Sequence, residues 1–187
     1  MISGVLSERT AIITGVGGAL AAAAAHALSR AGASVVLASR DAGALDALAA
    51  EITAEGGHAV AVPTDLASPV SVRRLVEQTL GAFGHLDAAL NNGSAHDIAL
   101  AMRYQIPSMW RAGGGRIVNV APDVALQPAV IALTRTAAPD LAMSNVRINA
   151  VSAAAHAHAG QVADTIVWLC SDDAALATGE TLRVPAP

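Results

Sequence analysis

Three groups of residues carry the chemistry legible in this chain. The first is the turn Thr14-Gly15-Val16-Gly17-Gly18-Ala19-Leu20-Ala21. Glycines there let a backbone come close to a phosphate, and the start of a following helix supplies amide donors and a favourable dipole. A tight strand-to-helix turn needs glycine for structural reasons too, so the turn alone does not separate the two uses. The second group is Ser39-Arg40-Asp41. An acidic residue ending a second strand would hold ribose hydroxyls, whereas an arginine just beyond it suits a 2′-phosphate. The plainer alternative is a helix cap beside a solvated arginine. The third group is His96, Asp123, His156 and His158. These are proton-transfer groups, and a histidine titrates near pH 6.5 unless buried or paired. The plainer alternative is exposed loop histidines in an alanine-rich sequence. No metal site is expected of His156-Ala157-His158.

The elements that must hold these groups follow from the hydrophobic pattern. Short apolar runs alternate with longer helical patterns, which predicts βαβ units and a parallel sheet. Strands are expected at Thr10–Thr14, Ser34–Ala38, His58–Val62, Leu86–Asn91, Arg116–Val120, Arg147–Val151 and Thr181–Val184. Helices are expected from the glycine turn to about Ala31, over Asp41–Glu55, from Ser68-Pro69 to about Ala82, near Ile98–Trp110 and around Gln161–Cys170. Pro139 is expected to interrupt the helix after the fifth strand, and Trp168 reads as core. The expected fold class is α/β: a Rossmann-type doubly wound parallel sheet of about seven strands in a single domain spanning residues 1–187. Ligands of such sheets lie at the carboxyl ends of the strands. Thr14, Ser39, Arg40, His96, Asp123, His156 and His158 all fall on that side. The connections after strands four and six look short, which cuts down the usual places for a substrate lid.

Composition narrows the function classes. Of 187 residues, 53% are hydrophobic and 14% charged, which suits a buried sheet and not a disordered chain. Aromatics make up 2% and the net charge is −4, so neither a stacking platform nor a phosphate-backbone surface for nucleic acid is expected. Cys170 is the only cysteine, which excludes a disulfide framework. The uncharged stretch from Thr10 to Ser29 contains turn glycines and changes period, so it reads as strand, turn and helix and not as a membrane span. No signal pattern stands at Met1–Arg9, and a cytoplasmic location is expected.

Eight segments, in order, are similar to the short-chain dehydrogenase/reductase family: TGVGGALA at 14–21, SRAGASVVLASRD at 29–41, the DL pair at 65–66, FGHLDAALNNG at 83–93, GGGRIVNV at 113–120, VIALTRTAA at 130–138, NVRINAVS at 145–152 and LCSDDAALATGETLRV at 169–184. The resemblance runs from end to end. It implies a Rossmann fold, a nicotinamide dinucleotide and a homodimer or homotetramer. It places the first glycine of the family's turn on Gly15 and the other two on Ala19 and Ala21, whose methyls would crowd a pyrophosphate. Gly17 and Gly18 offer room for the loop to adapt. The resemblance also puts the adenine-contacting aspartate on Asp65 and the family's NNAG motif on Asn91-Asn92-Gly93-Ser94. Thr14, Gly15, Gly17, Gly18, Ser39, Arg40, Asp65, Asn91 and Gly93 form the expected cofactor set, with NADP(H) as the expected cofactor.

The family's hydride chemistry uses a serine after strand five and a Tyr-x-x-x-Lys pair. Here the serine's position falls on Pro122, the tyrosine's on Asp123 and the lysine's on Gln127. All eleven basic residues are arginines, so no realignment within these residues supplies a lysine. The expectation is therefore a non-canonical member that does non-redox acid–base chemistry through Asp123, His96, His156 or His158, or none. Two alternatives stand beside it: an NADP(H)-dependent oxidoreductase acting on a small carbonyl or alcohol, and a regulatory partner of an intact relative. The expected partners are a small-molecule substrate or nucleotide, with no nucleic acid and no membrane.

Overall fold

Buried parallel strands are apolar on both faces, because helices cover both. The inner strands follow this and the edge strands β3 and β7 only in part: β1 (Thr10–Thr14), β2 (Ser34–Ser39), β3 (Ala59–Pro63), β4 (Ala88–Asn92), β5 (Gly115–Val120), β6 (Val146–Ala153) and β7 (Thr181–Val184). The computed structural model describes residues 4–121, 123–141, 143–154, 157–174 and 178–186. The seven strands form one parallel sheet in the order β3-β2-β1-β4-β5-β6-β7. The chain reverses direction across the sheet between β1 and β4, which marks the switch point of a doubly wound fold.

Six helices cover the sheet: α1 (Ala19–Arg30), α2 (Ala42–Ala54), α3 (Pro69–Phe83), α4 (Ala95–Arg111), α5 (Gln127–Leu141) and α6 (Ala159–Cys170). One apolar layer joins Ala24, Leu28, Leu45, Ile52 and Ile166 to Ile13, Leu37 and Val118, so α1, α2 and α6 share a face. The other joins Leu75, Ile98, Met109 and Val130 to Ile12, Ala89 and Ile117, so α3, α4 and α5 share the opposite one. Alanine at 21, 24 and 25 is buried in α1, as a close helix contact requires.

Helix starts differ in a way that matters for the site. Asp41, Ser68 and Ser94 cap α2, α3 and α4 by accepting from the amides of Ala44, Ser71 and Asp97. Such caps satisfy amides that the helix itself leaves free. The cap of α1 is Gly18, which has no side chain to do this. At the other end of α1, Gly32 turns the chain at φ +104°.

Three expectations need correction. First, α4 begins at Ala95, three residues before the expected Ile98, because Ser94 supplies its cap. Second, Pro139 lies inside α5, which runs on to Leu141. A proline removes one bond to the carbonyl four residues back. That carbonyl belongs to Arg135, an exposed residue. Third, Trp168 is 38% exposed, because Val162, Ala163, Ile166, Val167, Leu169 and Cys170 take the buried arc of α6.

Candidate functional site

The carboxyl ends of β1 to β4 enclose a cleft of about 480 Å³ lined by Gly15, Ser39, Arg40, Asp65, Asn92 and Gly93 among others. A second cleft of about 470 Å³ lies over the start of α1, lined by Gly15, Gly17, Gly18, Ala19, Leu20, Ala21 and Asn92. The two share Gly15 and Asn92, so they adjoin at the switch point and together make up the groove.

Gly15 has φ +68°, and a Cβ there would stand 1.9 Å from the carbonyl oxygen of Asn92. Only glycine fits. The Asn92 Nδ2 donates to the Gly15 carbonyl at 3.0 Å and pins this crossing from the other side. Gly17 and Gly18 face open space, with nothing within 4 Å of a Cβ built on them. The first-turn amides of α1 therefore meet the groove without a capping side chain, and the helix dipole adds a positive potential. Ala19 is exposed at this mouth, whereas Ala21 is buried.

Arg40 is exposed on the cleft wall, and no carboxylate pairs with it among the described residues. Its neighbours are occupied: Ser39 Oγ accepts from the Asp41 amide at 3.3 Å, and Asp41 Oδ1 caps α2 at 3.0 Å. Asp65 Oδ1 accepts from the Ala67 amide at 3.0 Å, which fixes the turn after β3. Asp97 also borders the cleft, and its Oδ2 accepts from Ser94 Oγ at 2.7 Å. Arg40 is thus the one cation in a wall that also carries Asp41, Asp65 and Asp97.

Thr14 and Asn91 do not reach the groove. They join Asn119 in one row across β1, β4 and β5. Asn91 is fully buried, exchanges two hydrogen bonds with Gln105 of α4 at 2.9 Å each, and donates to Asn119 Oδ1 at 3.2 Å. Asn119 Nδ2 goes on to Thr134 Oγ1 of α5 at 3.0 Å. Successive residues of a strand point to opposite faces. Asn91 therefore faces α4, and Asn92 faces Gly15. Sequence reading named the first asparagine, and strand parity was the signal that distinguishes it from the second.

Among the described residues, Asp123, His96 and His158 are not brought together by any hydrogen bond or shared cleft. Asp123 is exposed, and its Oδ1 accepts from the Ala125 amide at 2.9 Å. His96 is exposed on the first turn of α4, and His158 is exposed at the start of α6. No hydrogen bond joins these three among the described residues, and none lines the groove. His156 and Pro122 lie outside the described residues. No cluster of three metal-binding side chains occurs among the described residues. Burial pushes the Cys170 thiol up to about 12, so it is no nucleophile at neutral pH. No described helix is long and apolar enough to cross a membrane.

Gln127, at the first position of α5, is tied to the end of β6. Its Nε2 donates to the Ala153 carbonyl at 2.8 Å, and its Oε1 accepts from Ser152 Oγ at 2.6 Å.

An α/β domain with this strand order and a glycine-lined groove at its switch point is a Rossmann-type nucleotide-binding fold. The short chain dehydrogenase model matches residues 9–105, from the start of β1 into α4, and the chain belongs to that family. An uncharacterized oxidoreductase of Mycobacterium tuberculosis is 34% identical over 185 residues, covering 79% of this chain and 69% of its own. The A-factor type gamma-butyrolactone 1'-reductase of Streptomyces virginiae is 27% identical over 245 residues, covering 97% of this chain and 95% of its own. An alignment of 245 positions against 187 residues means that this relative carries internal segments absent here. The crystal structure of a hydroxysteroid dehydrogenase from Escherichia coli superposes with a TM-score of 0.91, covering 98% of this chain and 97% of that one. At 24% identity that likeness is one of fold.

Proposed function

We propose that this chain is an NADP(H)-binding family member that does not carry out tyrosine–lysine carbonyl reduction. One observation carries the reading. Gln127, which falls on the lysine's position, is uncharged and spends both ends of its amide on Ser152 and Ala153. It cannot lower a phenol pKa from about 10 towards neutrality, and no lysine exists in these residues to replace it. Tyr104, the only tyrosine, lies on α4 and not beside Gln127.

The groove fits the cofactor's phosphorylated adenosine. Gly15 and the open α1 amides suit a pyrophosphate, and Arg40 suits a 2′-phosphate through a charge-assisted hydrogen bond. A bound nicotinamide would supply the hydride in a redox reaction, and this chain's residues supply no paired acid beside it. Acid–base chemistry by Asp123, His96 or His158 finds less support than binding without turnover, because these side chains do not meet.

Arg40→Ala should weaken NADP(H) at least tenfold and NAD(H) less than twofold, measured by calorimetric titration. An equal loss for both would remove the 2′-phosphate contact. The relatives, an oxidoreductase and a reductase by name, favour a second reading, an oxidoreductase. NADPH consumption over a broad panel of ketones and aldehydes decides between the two. General acid catalysis is worth about 10²–10⁴-fold, so the expected result is no turnover above the buffer blank. Robust turnover would overturn the first reading and establish the second.

A further inference from the structure

Resting on the nucleotide reading above, we infer that an adenosine nucleotide with a 2′-phosphate is the whole ligand of this site, and that the second half of a dinucleotide adds no affinity. A doubly wound sheet binds a dinucleotide as two mononucleotide halves, one on each side of the switch point. The first half, over β1, β2 and β3, is built here: the Gly15 crossing, the uncapped α1, the unpaired Arg40 and the Asp65 turn all border one groove.

The second half, over β4, β5 and β6, is not equipped in the same way. A ribose and a carboxamide need hydrogen-bond partners at the ends of β5 and β6. Among the described residues, β5 runs out into Ala121, which is apolar and 6% exposed. Of the polar groups that follow, Gln127 bonds Ser152 and the Ala153 carbonyl, and Asp123 Oδ1 accepts from the Ala125 amide. Gln127, Ser152 and Ala153 open on a different cleft of about 530 Å³, completed by Val124, Ala154, Arg183, Val184 and Pro185. It shares no lining residue with the nucleotide groove. Only Gly93 and Ser94 separate β4 from α4, so no long segment folds over this side from there. The span that matches the family model ends in α4 and so contains the first half complete and the second half only in part.

The test is calorimetric titration of the full chain with adenosine 2′,5′-bisphosphate, NADP⁺, 5′-AMP and nicotinamide mononucleotide. The bisphosphate and NADP⁺ should bind within fivefold of each other. The 5′-AMP should bind at least tenfold more weakly, and nicotinamide mononucleotide should show no heat of binding. Gln127→Ala should leave NADP⁺ affinity unchanged. If NADP⁺ binds more than fivefold tighter than the bisphosphate, or if Gln127→Ala weakens it, the second half is in contact with the protein. The inference then fails while the nucleotide reading stands. If 5′-AMP equals the bisphosphate, the 2′-phosphate is not recognised and the inference fails. If none of the four binds, both readings fail.

Discussion

Asn91→Leu should destabilise the fold by about 3–5 kcal/mol, even though position 91 does not line the groove. Its amide satisfies three groups that no water reaches: both ends of the Gln105 side chain and Asn119 Oδ1. Gln105 and Asn119 are themselves fully buried. An unmade hydrogen bond on a buried group costs about 1–3 kcal/mol, and a hydrocarbon at position 91 leaves three unmade. For a chain of this size, about 3 kcal/mol corresponds to a fall in Tm of roughly 6–12 °C. Urea unfolding of the single variant and of Asn91→Leu/Gln105→Leu separates this mechanism from a packing defect. Removing both partners eliminates the orphans on Gln105, so the double variant should recover part of the loss. A single variant within about 1 kcal/mol of the parent, or a double that loses the sum of both singles, would show that the amides do not act as a unit.

Gly15→Ala should abolish nucleotide binding, with a loss of more than a hundredfold, and lower stability by about 2–4 kcal/mol. The left-handed backbone costs an L-residue roughly 1–2 kcal/mol. The larger part comes from contact, since the new methyl would stand 1.9 Å from Asn92 O and 3.0 Å from Asn92 C. Both atoms are backbone in the β4 end, so no side chain can rotate away. The turn must move, which breaks the Asn92–Gly15 bond and shifts the mouth shared by the two clefts. Gly17→Ala is the control, because nothing lies within 4 Å of its Cβ and its φ is not left-handed. It should fold as the parent does. Titration with adenosine 2′,5′-bisphosphate alongside thermal unfolding reads both effects. Gly15→Ala that binds and melts like Gly17→Ala would remove this crossing from the site.

The order and type of every strand were legible in the sequence, and β1 and β7 to the residue. The physical reason is local. A strand buried on both faces has to be a short apolar run such as TAIIT, and glycine or a capping Ser or Asp must punctuate it. Gly15, Arg40, Asp65 and Gly93 were legible for the same reason, because each directly follows or ends a strand on the carboxyl side. Trp168 and Pro139 were misread because their surroundings are set by which arc of a helix is covered and where a freed carbonyl points. Asn91 was assigned to the groove and belongs to the core, because a one-residue change of parity moves a side chain through the sheet. The hydrogen bonds of Gln105 and Gln127 carried no local signal. Their partners lie 14 residues away at Asn91 and 25 and 26 residues away at Ser152 and Ala153. Sequence alone determined that the chain folds as a glycine-turned Rossmann sheet without a lysine. Only the tertiary structure decided which amides face the groove and which are consumed in bonding one another, because those bonds exist only once β4, β5 and β6 lie side by side.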